Sequence, residues 1–189
     1  KRKISFDEFK QFRNFPLVKP GDDLAAQISQ SLVDNHIVLQ HGDIVVLAQK
    51  IVSKSENRYR LLKDITPSAE AEKYAAETGK DPRLVELVLQ ESSRVLRHRF
   101  GSIVVEHKLG FVHANAGIDQ SNLPGNADSE CALLLPENPD ASAQALRQAL
   151  EEKHAVNIGV VINDSFGRAW RLGTVGIAIG VAGFDPLLD

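Results

Sequence analysis

The sequence has little of what would commit it to disulfides, to membranes or to nucleic acids. It contains one cysteine, Cys131, among 189 residues. A lone cysteine cannot form an internal disulfide, which indicates a reducing, cytoplasmic setting. The formal net charge is −3, so the composition predicts no general affinity for nucleic acid or for an anionic membrane. No apolar run reaches the length of a membrane span, so we expect no membrane partner.

Methionine is absent altogether, and the sequence stops at Asp189, soon after a run rich in glycine and alanine. We therefore expect a further segment at one or both ends of this chain. Two common nucleotide-binding signatures are also absent, since there is neither a Walker A loop nor a G-x-G-x-x-G motif after a predicted strand. A nucleotide site in this chain must be built in another way.

The composition is that of an ordinary globular domain, with 43% hydrophobic and 25% charged residues. The predicted helices and strands do not alternate strictly, and hairpins are frequent. This order is typical of an α+β architecture with mixed or antiparallel sheets and packed helices. The predicted helices begin at Asp22 or Asp23, at Thr66-Pro67, at Asp81-Pro82 (running past Leu96) and at Asp140, and the predicted strands are Asp43–Ala48, Arg58–Leu62, Ser102–Glu106, Phe111–Ala114, Glu130–Leu135, Asn157–Ile162 and Thr174–Val181.

Two polar stretches follow predicted strands, and each carries one acidic residue. HANAGIDQSN holds Asp119, and NDSFGRAWR holds Asp164. Hydroxyl and amide side chains lie beside both acids, so together they form an oxygen-rich set. Mg²⁺ and Mn²⁺ prefer such ligands and usually bring nucleotide phosphates with them. The alternative is that both aspartates are turn residues that bond their own backbones, and the spacing alone favours this alternative.

Two lysines, Lys50 and Lys54, follow the predicted strand Asp43–Ala48 in the segment QKIVSKSEN. A lysine just past a buried strand can reach phosphate oxygens as a point charge. The alternative is ordinary surface lysines at a solvated strand end, and the pattern alone favours this alternative. His107 and His113 flank a predicted hairpin, but a metal site there would need a third ligand that the sequence does not supply.

Five segments, in this order, resemble the gamma-glutamyl ligase family of coenzyme F-420 biosynthesis. The resemblance extends from about Phe15 to Asp189. It implies an unusual α+β fold that works as a homodimer. It also implies a GTP-dependent enzyme that uses Mg²⁺ or Mn²⁺, with K⁺ as a further candidate ion, to join L-glutamate to a deazaflavin cofactor precursor. The segments are PLVKPGDDL, GDIVVLAQKIVSKSENR, HANAGIDQSN, LLPENPDASA and NDSFGRAWRLGTVGIAIGVAGFDPLLD.

The resemblance also implies a role for individual residues. By position, Asp119 is similar to a metal-binding aspartate, and Asn122 is similar to a nucleotide contact in the same loop. Asp164 and Ser165 resemble the second metal-binding pair of the family, which usually reads Asp-Thr. The implied catalytic residues are Asp119, Asp164 and Lys54.

Further nucleotide contacts are implied at two other places. The first is an apolar stretch that lines the guanine nucleotide, and the second follows the strand Asp43–Ala48. Gln49-Lys50 departs from the small hydroxyl residues of some family members, whereas Lys54 in IVSK matches well. The implied contacts are Phe15, Pro16, Leu17, Val18, Gln49, Lys50 and Lys54.

The family pattern divides the chain into an N-terminal extension, residues 1–14, and a ligase domain, residues 15–189, that lacks a C-terminal segment. The implied reaction activates a carboxylate as an acyl phosphate and then forms an amide bond. Two alternatives stay open. One is a nucleotide- or deazaflavin-binding domain of a larger fused protein, and the other is a metal-dependent phosphohydrolase that uses the same two aspartates.

Overall fold

The computed structural model describes residues 8–121, 131–167 and 172–187. Within these residues helices and strands form three separate sheets with packed helices, so the predicted α+β class is confirmed. The helices are α1 (Leu24–Asp34), α2 (Gln49–Ser55), α3 (Ala69–Thr78), α4 (Pro82–Gln90) and α5 (Pro139–His154), and the strands are β1 (Ile44–Ala48), β2 (Tyr59–Leu61), β3 (Ser92–Arg99), β4 (Ser102–His107), β5 (Val112–Ala114), β6 (Cys131–Leu133), β7 (Gly159–Gly167) and β8 (Thr174–Ala182).

The first sheet has the order β1-β7-β8 and is mixed. β7 pairs with β1 in parallel and with β8 in antiparallel orientation. One face of this sheet packs against α1 and α5, and strand alternation delivers buried side chains to that face from both β1 and β7. The resulting core contains Ile28, Leu32, Val45, Leu47, Leu150, Val160 and Ile162.

The opposite face of the first sheet is open. Ile44 is 43% exposed and Val46 is 56% exposed, so the strand predicted to be buried is buried on one face only. The register places Val46 beside Val161, and Val161 beside Val181. Phe184 lies over Gly159 at the end of this surface. We call these five apolar residues, Ile44, Val46, Val161, Val181 and Phe184, the open sheet face.

The other two sheets are antiparallel, with the orders β2-β6 and β3-β4-β5. α3 and α4 cover β4, and their apolar side chains form a second core with Ile103 and Val105. α4 was predicted to continue past Leu96, but it ends at Gln90 and the chain re-enters as β3. The pairing of β3 with β4 explains the difference, because an antiparallel hairpin satisfies the backbone there in place of helical hydrogen bonds.

Side-chain caps precede α1, α3, α4 and α5, and α4 and α5 also have proline at the first helical position. Asp23 caps α1 as predicted, by accepting a hydrogen bond from Ala26 N. Ser68 caps α3, so this helix begins after Thr66-Pro67. Asn138 caps α5, and Asp140 accepts instead from Val181 N at 2.8 Å. Within the described residues no helix combines the length and hydrophobicity that crossing a membrane requires.

Candidate functional site

A run of left-handed backbone precedes Asp119. Asn115, Ala116 and Gly117 have φ values of 52°, 52° and 69°. Such conformations are costly for residues other than glycine, and they persist only where packing enforces them. Ala116 is fully buried, and a Cβ on Gly117 would lie 2.7 Å from Leu135 Cδ1. The turn therefore fixes the direction in which the chain enters the Asp119 loop.

Asp119 is held on its other side by β6. Its backbone N–H donates to Leu133 O at 3.0 Å, and its carbonyl accepts from Leu133 N at 2.8 Å. These two hydrogen bonds form an isolated antiparallel bridge. The backbone of Asp119 is thus anchored, and its carboxylate is presented towards α2.

The carboxylate of Asp119 forms an ion pair with Lys50 Nζ. The Lys50 ammonium also donates to the hydroxyl of Ser121 at 3.1 Å and to the carbonyl of Ser121 at 3.2 Å. Asp119 Oδ1 accepts from Ser121 N at 2.7 Å. Burial raises the pKa of Asp119, but the hydrogen bonds from Lys50 and Ser121 together outweigh it, so the pKa is lowered. Three oxygen atoms of this loop therefore surround one cation.

The segment that carries Lys50 was predicted as a strand end, but it is the short helix α2. Residues four apart share a helical face, so Lys54 lies one turn from Lys50 on the same side. Gln49 points inwards instead: it is buried, and its side-chain oxygen Oε1 accepts from Ser53 Oγ at 2.9 Å. A nucleotide contact by the Gln49 side chain would require this side chain to turn outwards.

Asp164 lies within strand β7, not in the loop that the sequence predicted. β8 extends the ladder, pairing Asp164 with Ile177 and Ser165 with Gly176. Asp164 Oδ1 accepts from Ser165 N at 2.7 Å. Successive side chains of a strand leave on opposite faces, so the Ser165 hydroxyl does not share a face with the Asp164 carboxylate in this conformation.

His113, on β5, is the partner of Asp164 that sequence reasoning missed. Its Nε2 lies 3.1 Å from Asp164 Oδ2, and both side chains are largely buried. Its Nδ1 lies 2.7 Å from Ala114 O, so a doubly protonated ring would donate to both oxygens. The Phe166 ring packs edge-on against the His113 ring, with the two ring centroids 4.0 Å apart. The available signal was the period of two in FVHA, which places His113 on the same strand face as Phe111.

Asp119 and Asp164 are therefore held separately: Asp119 contacts Lys50 Nζ, and Asp164 contacts His113 Nε2. They lie in one region, because Ala48 pairs with Asn163 and Lys50 follows two residues later. Across the described ranges, no three His, Cys, Asp or Glu side chains are close enough to hold a metal ion together. The residues that best fit a divalent ion are those of the Asp119 loop, where oxygen atoms already enclose an ammonium group.

The apolar stretch Phe15–Val18 leads to the C-terminal end of α2, the helix that carries Lys50 near its start. Gly21 N donates to Ser55 O at 2.8 Å, which ties this segment to the end of α2. Val18 is buried in the protein, whereas Leu17 is 87% exposed. Phe15 stacks on Phe12 with ring centroids 6.3 Å apart. The predicted nucleotide contact Asn122 lies outside the described residues.

The described residues thus form an α+β domain in which Asp119, Asp164 and Lys50 lie in one region, each held by named hydrogen-bond or ion-pair partners. A family model described as "F420-0:Gamma-glutamyl ligase" matches residues 13–189. The chain belongs to this family of ligases.

Relatives named "Coenzyme F420:L-glutamate ligase" support the same assignment. The protein of Methanothermobacter thermautotrophicus is 46% identical over 174 residues, covering 92% of this chain and 68% of the relative. That of Methanopyrus kandleri is 43% identical over 172 residues, covering 91% and 65%. That of Archaeoglobus fulgidus is 41% identical over 175 residues, covering 92% and 66%. The chain thus spans about two thirds of the length of these relatives.

Proposed function

We propose that this chain carries the catalytic region of a GTP-dependent ligase that adds L-glutamate to the deazaflavin precursor of coenzyme F-420. Family membership supports the substrate class. The observation that carries the site is the set of three oxygen atoms, from Asp119 and Ser121, around the Lys50 ammonium. Such a set is suited to a hard cation, and a hard cation is suited to a triphosphate.

The reaction must turn a carboxylate into an electrophile. In the proposed first step, a carboxylate oxygen of the precursor attacks the γ-phosphorus of GTP, the bond to the β-phosphate oxygen breaks, and GDP leaves. In the second step, the glutamate amine attacks the acyl carbon, loses a proton and expels inorganic phosphate, leaving an amide. Both steps depend on positioning and on neutralising charge.

The residues that would hold a divalent ion, Mg²⁺ or Mn²⁺, are Asp119 and Asp164. Ser165 is the third candidate, and its hydroxyl would reach the same ion only after a change in this part of β7, since it leaves the strand on the face opposite Asp164. The ion would neutralise charge on the phosphate oxygens and orient them. Lys54 supplies a further positive charge one helical turn from Lys50, and the Phe15–Val18 segment offers Pro16 and Leu17 as exposed apolar contacts for the base. K⁺ is a further candidate ion.

We also propose that the ligase works as a homodimer. The open sheet face supports this, because large exposed apolar patches usually mark a contact surface. A second copy of the chain would cover Ile44, Val46 and Phe184, which are 43%, 56% and 40% exposed.

The test uses full-length protein incubated with precursor, L-glutamate, GTP and Mn²⁺, with mass spectrometry of the product. Asp119→Asn and Asp164→Asn should each reduce glutamate addition by at least about a hundredfold, since each removes a charged group that would contact the ion. Asp34→Asn, at the exposed end of α1, is the matched control and should leave the rate unchanged. Circular dichroism checks that all variants fold.

Retained turnover in both site variants would remove the metal role from these aspartates. Turnover of GTP that needs neither glutamate nor precursor would favour a phosphohydrolase over a ligase. Binding of GTP without any turnover by the full-length protein would favour a binding domain.

A further inference from the structure

The Lys50 ammonium contacts the oxygen atoms with which Asp119 and Ser121 would hold a metal ion. Its donors are directed to Asp119 Oδ2, to Ser121 Oγ at 3.1 Å and to Ser121 O at 3.2 Å. An ammonium has three N–H donors, and this loop accepts all three. The Lys50 and Asp119 side chains are 27% and 25% exposed, so the pair is only partly screened by water.

A divalent ion bound to these three oxygen atoms would lie directly beside the ammonium, and like charges at such a distance repel. A metal that binds Asp119 Oδ2 and the Ser121 oxygens would therefore displace Lys50. In the absence of a nucleotide, the displaced ammonium loses an ion pair and gains only water.

The position of Lys50 gives the displaced ammonium a second partner when a nucleotide arrives. Lys50 is carried by a helix that also presents Lys54 on the same face, and four methylene groups let its ammonium rotate away from the loop. A phosphate oxygen of a nucleotide bound with the metal would then replace the carboxylate as the partner of Lys50.

We propose that the Lys50 ammonium competes with divalent ions for Asp119, so that a divalent ion without a nucleotide binds this site weakly. When a metal–nucleotide complex binds, Lys50 leaves Asp119 and contacts the phosphates of the nucleotide. This inference rests on the proposed function only in its second half. The first half, competition between Lys50 and a divalent ion for Asp119, concerns the free protein and is tested without GTP or any substrate.

The first measurement is the binding of Mn²⁺ alone to full-length protein, followed by the loss of the free-ion electron paramagnetic resonance signal. Lys50→Gln should bind Mn²⁺ at least about tenfold more tightly than the wild type, which corresponds to about 1.4 kcal/mol. Lys50→Arg keeps the cation and should stay close to the wild type. Lys54→Gln removes the same charge one turn away and should change the affinity by about twofold or less. The double variant Lys50→Gln with Asp119→Asn should lose the gain.

The second measurement adds GTP to the same series. Lys50→Gln should bind the Mn²⁺–GTP complex about tenfold more weakly than the wild type, so the sign of the effect reverses. The competition is refuted if Lys50→Gln binds bare Mn²⁺ no more tightly than Lys54→Gln, or if its gain survives the Asp119→Asn change. Tighter Mn²⁺ binding without a reversed effect on Mn²⁺–GTP would overturn the transfer of Lys50 to phosphate. Absence of GTP binding in every variant would instead contradict the proposed function and leave the competition result intact.

Discussion

At the scale of single residues, the position of Asp119 depends on Gly117. Gly117 has a φ of +69°, which residues with side chains rarely adopt, and a Cβ on Gly117 would lie 2.7 Å from Leu135 Cδ1. Gly117→Ala should therefore combine backbone strain with overpacking and lower the free energy of unfolding by about 2–4 kcal/mol, measured in urea. Gly110→Ala is the matched control, since its φ is +89° but nothing lies within 4 Å of the added Cβ. A loss of about 1 kcal/mol is expected there, and equal losses in the two variants would contradict the packing argument.

His107 makes the folded protein sensitive to acid. It is 3% exposed, and its Nδ1 accepts from Leu109 N at 3.0 Å. Its Nε2 has no hydrogen-bond partner among the described residues, and the nearest carboxylate oxygen, Glu91 Oε2, is 4.0 Å away. Burial above all, with nearby positive charge from His113, Arg58 and Lys108, lowers the pKa of His107 to about 4. Between the ordinary pKa of about 6.5 and this value, the unfolded chain binds the proton and the folded chain does not.

The free energy of unfolding should therefore fall as the pH drops from 6.5 to 4, by up to about 3 kcal/mol from this one residue. Urea unfolding at a series of pH values measures the slope. His107→Gln should flatten it in that range, whatever the variant's stability at pH 7. His36→Asn, an exposed left-handed position that asparagine tolerates, should keep the wild-type slope, and an unchanged slope in His107→Gln would refute the assignment.

At the scale of elements, the contact between α5 and β8 depends on the absence of a side chain. Gly176 and Gly180 allow close approach of neighbouring groups to β8. A Cβ on Gly180 would lie 2.5 Å from the backbone of Pro139, at the start of α5, and one on Gly176 would lie 2.9 Å from Asn163 Oδ1. Backbone cannot yield as a flexible side chain can, so the Gly180 contact is the more restrictive.

Gly180→Ala should consequently separate α5 from β8 and lower the stability by about 3 kcal/mol or more. Thermal unfolding followed by circular dichroism measures the loss. Gly167→Ala, on the neighbouring strand, meets nothing within 4 Å and should be neutral or slightly stabilising, because alanine restricts the unfolded chain. A similar fall in both variants would show that strand conformation, not the approach of Pro139, sets the cost.

The elements that sequence patterns predicted best are those in which local signals and tertiary contacts agree. α1 has both the predicted cap at Asp23 and a buried stripe that includes Ile28 and Leu32. The segments that were mispredicted owe their conformation to distant partners. β3 is a strand because β4 pairs with it, and Asn163–Gly167 is a strand because β8 extends the ladder. No local pattern carries such information.

The candidate site shows the same limit. Its acids and lysines could be picked out as chemically suitable residues, and the chemistry of oxygen ligands made Asp119 and Asp164 prominent. Their actual partners could not be predicted, because Lys50 is 71 positions from Ser121 and His113 is 51 positions from Asp164. Only the packing of separate sheets brings these side chains into contact.

At the scale of the whole molecule, the open sheet face predicts self-association. Val46→Glu places a charge in the middle of this face and should convert the proposed dimer to a monomer, because a buried unpaired carboxylate is costly at an interface. Size-exclusion chromatography with light scattering measures the mass. Val38→Glu is the control, since Val38 is 78% exposed and lies outside the sheet. A Val46→Glu protein that keeps the dimer mass would place the interface elsewhere.

The contact between His113 and Asp164 also has a consequence for folding. This contact joins β5 of the sheet β3-β4-β5 to β7 of the sheet β1-β7-β8. The bridge from Asp119 to Leu133 joins the Asp119 loop to β6 of the sheet β2-β6. Neither sheet can hold its acid in place alone. The geometry of the proposed cation site should therefore arise only when the sheets dock in the final step of folding. If the chain binds Mn²⁺–GTP as proposed, this binding should appear during refolding later than the secondary structure does, and its delay would report how long docking of the sheets takes.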